Sequence, residues 1–520
     1  MPTGEFWLGV PCGATPRLVA SIAHLNGRAT AATESFTTEA AEGRWTCVPH
    51  RFRVEGDEKG WLNGINQIVF HSYVHQPFLN VKPGLSLGRH GSQFNRNTTW
   101  WKEGRLWADY VRRGQALLQY GRPVAEFLVL GGSRADELME RGYNYDLCTE
   151  YDLDSLVVRD GRLVVGAGSP VYNALVIRKD VSEFTPEHQR RIVELEKAGA
   201  KVYRGLSAGA AAAALGIPPP FDGKGRLQAI RRKGPLGETI WFVVNVSDKV
   251  CDAEAGFEYD EGTSPERFDA KTGKVNSLPF STASGKALVA LRLDPHESTF
   301  VVFSRVKTKP SPQMDESPVV NAKDVSADWT IVSFAGPDAP SAPLPLATLV
   351  SWSDSSDSRL RYFAGRAVYE KKIEGLNALG ETRTVLDLGE VLEIANVWVG
   401  DTFVGTLWEP PYRVDITSAL SAGRKQQDAS VSLRVEIVNC WPNRMIGDAI
   451  ARANNVDEPK VAGKWPKWVI ENRPDSGTGI YTWSSWGAAF RPSDPLQKAG
   501  LIGPVKLLTL GGAQYRPSKD

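Results

Sequence analysis

Uncharged, β-prone runs that end abruptly in ionisable and aromatic residues set the pattern of the first hundred positions. The run Ala29-Thr30-Ala31-Ala32-Thr33 leads into Glu34, and Ile65-Asn66-Gln67-Ile68-Val69-Phe70 leads into His71, Tyr73, His75 and Gln76. Each reads as a short strand with its polar residues at the carboxyl end, the end at which (β/α)8 barrels carry their chemistry. A further strand is predicted from Glu5 to Val10, and a short helix from Val19 to Leu25 stops at Asn26-Gly27. Between the second and third strands, Phe52 to Leu62 reads as a helix closed near Gly64. From Thr98 to Tyr120 the residues Trp100, Trp107, Tyr110, Val111, Gly114, Leu117 and Leu118 recur at near-helical spacing. Strand and helix alternate, which implies parallel neighbours. Three such units cannot close an eight-stranded barrel, so residues 1–121 are predicted to form an open, partial (β/α)8 sheet with Glu34 and His71 on one rim.

From residue 122 to 218 the alternation restarts: strands at Pro123–Leu130, Asn173–Arg178 and Ala200–Tyr203, and a helix over Thr185–Ala198 opened by Thr-Pro-Glu. This is the pattern of a small doubly wound α/β domain. Its loops contain no GxGxxG and no phosphate-binding loop, so it reads as packing or oligomer architecture. Residues 219–306 alternate as an antiparallel β-sandwich, and 307–324, with Lys307-Thr308-Lys309-Pro310-Ser311-Pro312, read as a linker. The block 325–520 is predicted to be all-β with jelly-roll topology. Trp398, Trp408 and Tyr412 are expected to be buried there, because large aromatic residues are mostly buried.

A chain of 520 residues with 42% hydrophobic positions has room for several cores. The charge balance of 61 basic against 60 acidic residues gives no field that would favour nucleic acid or an anionic membrane. A neutral substrate fits better, and 16 tryptophans with 14 tyrosines suit sugar-binding surfaces as well as cores. Cys12, Cys47, Cys148, Cys251 and Cys440 lie far apart, which signals buried free thiols rather than a zinc site or a disulfide framework. Residues 1–5 carry no basic and apolar leader, and no run reaches the ~18 apolar residues of a membrane span. The compartment is left open, with periplasm or secretion compatible with a start further upstream.

The runs TESFT, GINQIVFHSYVHQPF and FNRNTTWW, followed far downstream by LDLGEV, VWVGDTFVGTLWEPPYRVDIT and NCWPNRMIGD, resemble the second half of the α-L-rhamnosidases of glycoside hydrolase family 106. The resemblance spans essentially the whole chain. It implies the end of a catalytic barrel, a flavodoxin-like α/β domain, a β-sandwich and a galactose-binding-like C-terminal domain. It also implies inverting hydrolysis of a terminal α-L-rhamnosyl residue by two carboxylates, one protonating the leaving oxygen and the other activating water, ~6.5–9.5 Å apart.

Glu34 falls where the family's base would sit. Family members carry an N-terminal region and five earlier barrel strands, with the general acid among them, and this chain is expected to lack that part. Glu39, Glu42 and Glu55 are carboxylates on predicted loop and helix and are not promoted to acid. A numbering that starts at an internal methionine, a missing N-terminal half-barrel supplied by another chain or by a homo-oligomer, and a degenerate remnant would each account for the lack. An edge exposed at the Glu5 strand is expected to favour association. His71, His75 and Gln76 are candidates for hydrogen bonds to vicinal hydroxyls, Asn95 and Arg96 for loop or sugar contacts, Trp100 for a stacking floor with Trp101 in the core, and Glu5 for lining the site. Calcium is the one cofactor that the resemblance suggests, and it would need several oxygen ligands. Two alternatives stay open beside the rhamnosidase: a non-catalytic carbohydrate-binding or scaffold protein, and a retaining exo-glycosidase of the β-galactosidase kind, with carboxylates ~5–5.5 Å apart.

Overall fold

The structure is a computed structural model of the chain, and it describes all residues except 39–44, 89, 132–133, 166–169, 179–182, 306–317, 375–382, 424–429, 455–464, 486–489 and 512–520. It is a mixed α/β molecule with many β-sheets, as the sequence pattern predicts. The chain divides into two compact units. The first comprises residues 1–37, 53–70 and 108–313, and the second 38–52, 71–107 and 314–520. Among the described residues no helix is long and apolar enough to cross a membrane.

In the first unit, β1 (Thr3–Trp7), β2 (Ala32–Thr37) and β3 (Gln67–Phe70) form one parallel sheet in that order. Helix α1 (Thr15–Leu25) connects β1 to β2, with Pro16 in its first turn, where a missing N–H costs nothing. Helix α2 (Pro49–Glu55) runs into a π-helical turn, Gly56–Gly60, and a 3-10 turn, Trp61–Asn63. Gly64 stops it with φ +89°, a left-handed conformation that glycine alone adopts without strain. The predicted helix at 98–120 is regular only as α3 (Gly104–Gln119). Residues 98–103 are turns instead, because the Asn95 carbonyl is capped by both the backbone and the hydroxyl of Thr98.

Gly114 on α3 marks a tight approach. A Cβ there would lie 2.1 Å from the ring of Trp61, which is 1% exposed and stacked on Tyr110 with centroids 5.2 Å apart. Gly114→Ala is therefore expected to destabilise the first unit by ~1–3 kcal/mol through overpacking. A lowered urea midpoint checks this, and an unchanged one would show that Trp61 can move aside.

The strands Phe127–Leu130, Tyr145–Cys148, Ala174–Ile177 and Val202–Arg204 form a four-stranded parallel sheet. The first three are buried at every position, as a parallel sheet covered on both faces requires. The predicted strand Pro123–Leu130 is in fact two. Arg122–Val124 pairs with Leu227–Lys233 in a six-stranded antiparallel sheet, and only Phe127–Leu130 joins the parallel one. Apolar periodicity cannot show where a strand changes sheet. The six-stranded sheet and a four-stranded one enclose a core that includes Trp241, Phe221, Phe257 and Phe303.

The second unit holds another six-stranded and another four-stranded antiparallel sheet around Trp329, Trp352, Tyr369 and Leu433. Trp408 and Tyr412 are buried as predicted, whereas Trp398 is half-buried under the Arg434 guanidinium, 4.7 Å from its ring centroid. Two expectations fail here. Val319–Asp324 is a strand paired with Lys506–Leu510, although it lies inside the predicted linker; residues 307–312 lie outside the described residues. Pro442–Asn454 is a helix within the block predicted all-β, opened by proline in its first turn.

Candidate active site

Strand β2 carries ATESFT, buried at every position but Glu34, which is half-buried. Being the middle strand, it is fixed on both sides: Glu34 pairs with Glu5 of β1 and Val69 of β3, and Ser35 pairs with Phe6 and Phe70. Small buried hydroxyls flank the carboxylate, with Thr33 and Ser35 joined at 2.8 Å. The Thr37 hydroxyl lies 3.5 Å from Glu34 Oε1, the outer limit of a hydrogen bond.

The ladder then slips. Phe6 pairs with Ser35 but Trp7 pairs with Thr37, so Phe36 is an extra residue, held at φ +71°. An aromatic residue in this conformation stores ~1–3 kcal/mol of strain and persists only where packing over-determines it. Packing does so here: Phe36 is 1% exposed, edge-on to Phe6 at 5.3 Å and stacked on Phe70 at 6.2 Å. Bulges recur beside active sites, where they re-aim a side chain. Glu5 is exposed, opposite Glu34 on the neighbouring strand, and its Oε2 accepts the Trp7 indole N–H at 3.2 Å.

The other candidates lie in the second unit. His71 is half-buried, next to a backbone exchange between residues 71–72 and 92. Gly91, at φ +86°, lets its ring approach, since a Cβ there would lie 3.2 Å from it. His75 is exposed. Gln76 is buried with its amide committed to the loop: Nε2 donates to the Leu85 carbonyl at 2.6 Å, and Oε1 accepts the Leu85 N–H at 2.9 Å. Asn95 is buried as well, donating to Gln93 Oε1 at 3.0 Å and accepting the Asn97 N–H at 2.9 Å. Arg96 is exposed and ties back to the carbonyls of Gln76 and Phe78 at 2.6 and 3.3 Å.

The burial of the two tryptophans is the reverse of that expected. Trp100 is 4% exposed, donates to the Cys47 carbonyl at 3.2 Å and packs among Phe52, Phe94 and Gly104, so it is core and not a stacking floor. Trp101 is 44% exposed. Adjacent tryptophans in a non-helical turn cannot be assigned a face from spacing alone.

Sequence reasoning also missed the anchor of this loop. Arg366 grips both oxygens of buried Glu103 at 2.8 Å, Asn396 donates to Glu103 at 3.0 Å, and the Trp441 indole donates to the Asn97 carbonyl at 2.9 Å. Residues far downstream thus hold the FNRNTTWW segment, and nothing in local sequence signals a pairing across more than 250 positions.

Of the remaining carboxylates, Glu39 and Glu42 lie outside the described residues. Glu55 accepts from Lys59 at 2.5 Å and from the Gly9 N–H at 2.9 Å. Among the described residues no group of three or more His, Cys, Asp or Glu side chains could hold a metal ion.

Residues 9–207 match the family model described as alpha-L-rhamnosidase, glycoside hydrolase family 106. Over that stretch the chain resembles glycoside hydrolase family 106. Beyond it, the whole chain is similar to the solved rhamnosidase from Novosphingobium sp. PP1Y, with a TM-score of 0.77 and 26% identity over 98% of this chain and 51% of that one. A curated relative from Formosa agariphila, named a putative beta-glucuronidase, is 39% identical over 206 residues, 38% of this chain and 17% of the relative. The chain thus spans about half the length of the solved rhamnosidase and a smaller share of the curated relative. Glu34 and the 71–101 loop fall within the matched stretch, and Glu5 lies immediately before it.

Proposed function

We propose that the chain serves an exo-acting α-L-rhamnosidase, releasing terminal α-L-rhamnose from a glycan or glycoside with inversion, and that Glu34 is its general base. The observation that carries this reading is the setting of Glu34: the one partly exposed position on a central parallel strand, two residues before a strained bulge, inside a segment matching the rhamnosidase family. An ionised carboxylate there can take a proton from water as it attacks the anomeric carbon. We assign Glu5 to lining the site of Glu34; in the second unit, we assign Gln76, Asn95 and Arg96 to holding their own loop. No general acid is assigned. The sheets of residues 1–121, 122–218, 219–306 and 325–520 are read as a partial barrel, a flavodoxin-like domain, a β-sandwich and a galactose-binding-like domain.

The name of the Formosa agariphila relative favours a second reading, a β-glucuronide-cleaving enzyme. A panel of aryl α-L-rhamnoside, β-D-glucuronide and β-D-galactoside, with the released anomer followed by NMR, separates the readings. Turnover of the rhamnoside with β-L-rhamnose appearing first is expected. Preference for the glucuronide, or release of the retained anomer, would overturn the proposal. Saturable sugar binding without turnover of any substrate would support the non-catalytic carbohydrate-binding alternative.

A further inference from the structure

The six-stranded sheet of the second unit sets Arg366–Glu374, Ser430–Val438, Ile394–Val399 and Thr402–Leu407 side by side, the last at its edge. Side chains alternate across a sheet. While Tyr369, Leu433, Val435 and Val397 enter the core, Glu370, Arg434, Trp398 and Phe403 share the outer face. They form one row, since Glu370 pairs with Arg434, Arg434 with Trp398, and Trp398 with Phe403, and residues directly opposite on neighbouring strands lie within reach of each other.

The neighbouring row, Glu436, Asn396 and Thr406, is closed by its own bonds and by Glu103. Arg366 donates to Glu103 and Glu436, and Asn396 donates to the same two carboxylates at 3.0 and 2.9 Å while accepting from Thr406 at 2.6 Å. The row of Arg434 carries the same kinds of group without closing them. Glu370 stands opposite Arg434, yet its Oε1 accepts from the Ser432 hydroxyl at 2.8 Å and no ion pair joins the two. Arg434 lies instead on Trp398, 4.7 Å from its ring centroid, and among the described residues its guanidinium meets no hydrogen-bond acceptor. Stacking of this kind holds the planar fork in place and leaves its edge donors available. Phe403 ends the row at the sheet edge, with its ring centroid 5.2 Å from that of Trp398 and 54% of the residue exposed.

We propose that this row binds a neutral oligosaccharide, with Phe403 stacking on the C–H face of one sugar while Arg434 donates to, and Glu370 accepts from, hydroxyls further along the chain. The charges favour a ligand without net charge. An anion would be drawn to Arg434 but repelled by Glu370 one strand away, and a cation the reverse, whereas a hydroxyl both donates and accepts and so meets both groups. Lys372, exposed two positions from Glu370 on the same face, and Asp401, exposed in the turn before Thr402, add one charge of each sign. The spacing favours a chain of sugars: Glu370 and Phe403 stand three strand spacings apart, about 14 Å, more than a single sugar ring covers. An aromatic face with a few polar groups beside it is the usual make-up of a small-ligand site. The row lies wholly in the second unit and requires nothing of Glu34.

The test is an array of neutral and uronate-containing oligosaccharides probed with the full chain, followed by calorimetry with the neutral oligosaccharide that binds most strongly. Saturable binding is expected. Phe403→Ala should weaken it ~10-fold through loss of the stacking face, and Glu370→Gln and Arg434→Gln by ~10-fold each through loss of a charged hydrogen-bond partner. Phe403→Tyr, which keeps the ring, should bind as the wild type does. An unchanged thermal midpoint shows that each variant is folded, and Phe403→Ala and Glu370→Gln decide the matter if Arg434→Gln does not fold. Three results would each overturn the proposal: no binding to any neutral oligosaccharide, an affinity unchanged in folded Phe403→Ala or Glu370→Gln, or preference for uronates that grows on Glu370→Gln, the mark of an anion site.

Discussion

Glu34→Gln is expected to lower kcat on an activated aryl α-L-rhamnoside by ~10²–10⁴-fold, the usual contribution of one positioned proton transfer. The amide keeps the size and planarity of the carboxylate, and the neighbouring strands pin its backbone through Glu5 and Val69, so the fold should be undisturbed. What disappears is the ability to take the proton of the attacking water. KM should move little, because a group needed only in the transition state contributes uniformly to neither bound state. The substrate choice matters: a good leaving group needs little acid assistance, so the base is tested without any assumption about the acid. Unactivated rhamnosides should turn over far more slowly. Azide should rescue the variant, and an inverting enzyme would then form the azide of inverted configuration. A rate for Glu34→Gln within twofold of wild type, in a folded protein, would remove Glu34 from the chemistry.

The parts of this site that were legible in the sequence are those encoded by local contrast. TESFT and INQIVFHS read as strands ending in polar residues because apolar and β-prone residues give way to ionisable ones within a single position, and β2 and β3 lie side by side as expected. Phe127–Leu130 and Ala174–Ile177 of the parallel sheet were legible for the same reason, being continuous apolar runs, whereas its strand Tyr145–Cys148, interrupted by Asp146, was not predicted. The illegible parts depend on packing between distant segments. Nothing about Phe36 announces φ +71°; that conformation follows from Phe6 and Phe70 closing around it. The burial of Trp100 depends on Phe52 and Phe94, and the anchoring of Glu103 on Arg366. The helix Pro442–Asn454 was hidden because NCWPNRMIGD follows directly on a strand and was read with it as part of an all-β block.

Asp57→Ala is expected to destabilise the first unit by ~3–5 kcal/mol, the cost of removing one partner of a buried ion pair. Asp57 is 1% exposed and accepts from Arg53 at 3.1 Å, Tyr110 at 2.8 Å and Ser298 at 2.7 Å, and Arg53 is itself 3% exposed. Asp57→Asn should cost much less at acidic pH, because it resembles the protonated acid. The pH dependence follows from the same burial, which raises the carboxyl from 3.8 to about 6 against the opposing pull of Arg53 and the two hydroxyls. Below pH 3.8 the group is protonated in both folded and unfolded chains, and its contribution is complete. Between pH 3.8 and 6 the unfolded chain loses the proton while the folded one keeps it, so stability falls as pH rises. Above 6 the contribution is gone, a total change of about 3 kcal/mol. His296, whose ring nitrogens lie 2.7 and 2.8 Å from Glu58 and Asp248 and donate to both when protonated, also titrates with folding: burial opposes its charge but the two carboxylates prevail and raise its pKa. Its contribution likewise declines with rising pH, so the decisive quantity is the difference between wild type and Asp57→Asn. Urea unfolding from pH 4 to 7 should show wild type losing stability relative to Asp57→Asn across pH 4–6, and parallel curves would mean that Asp57 stays ionised throughout, held by Arg53.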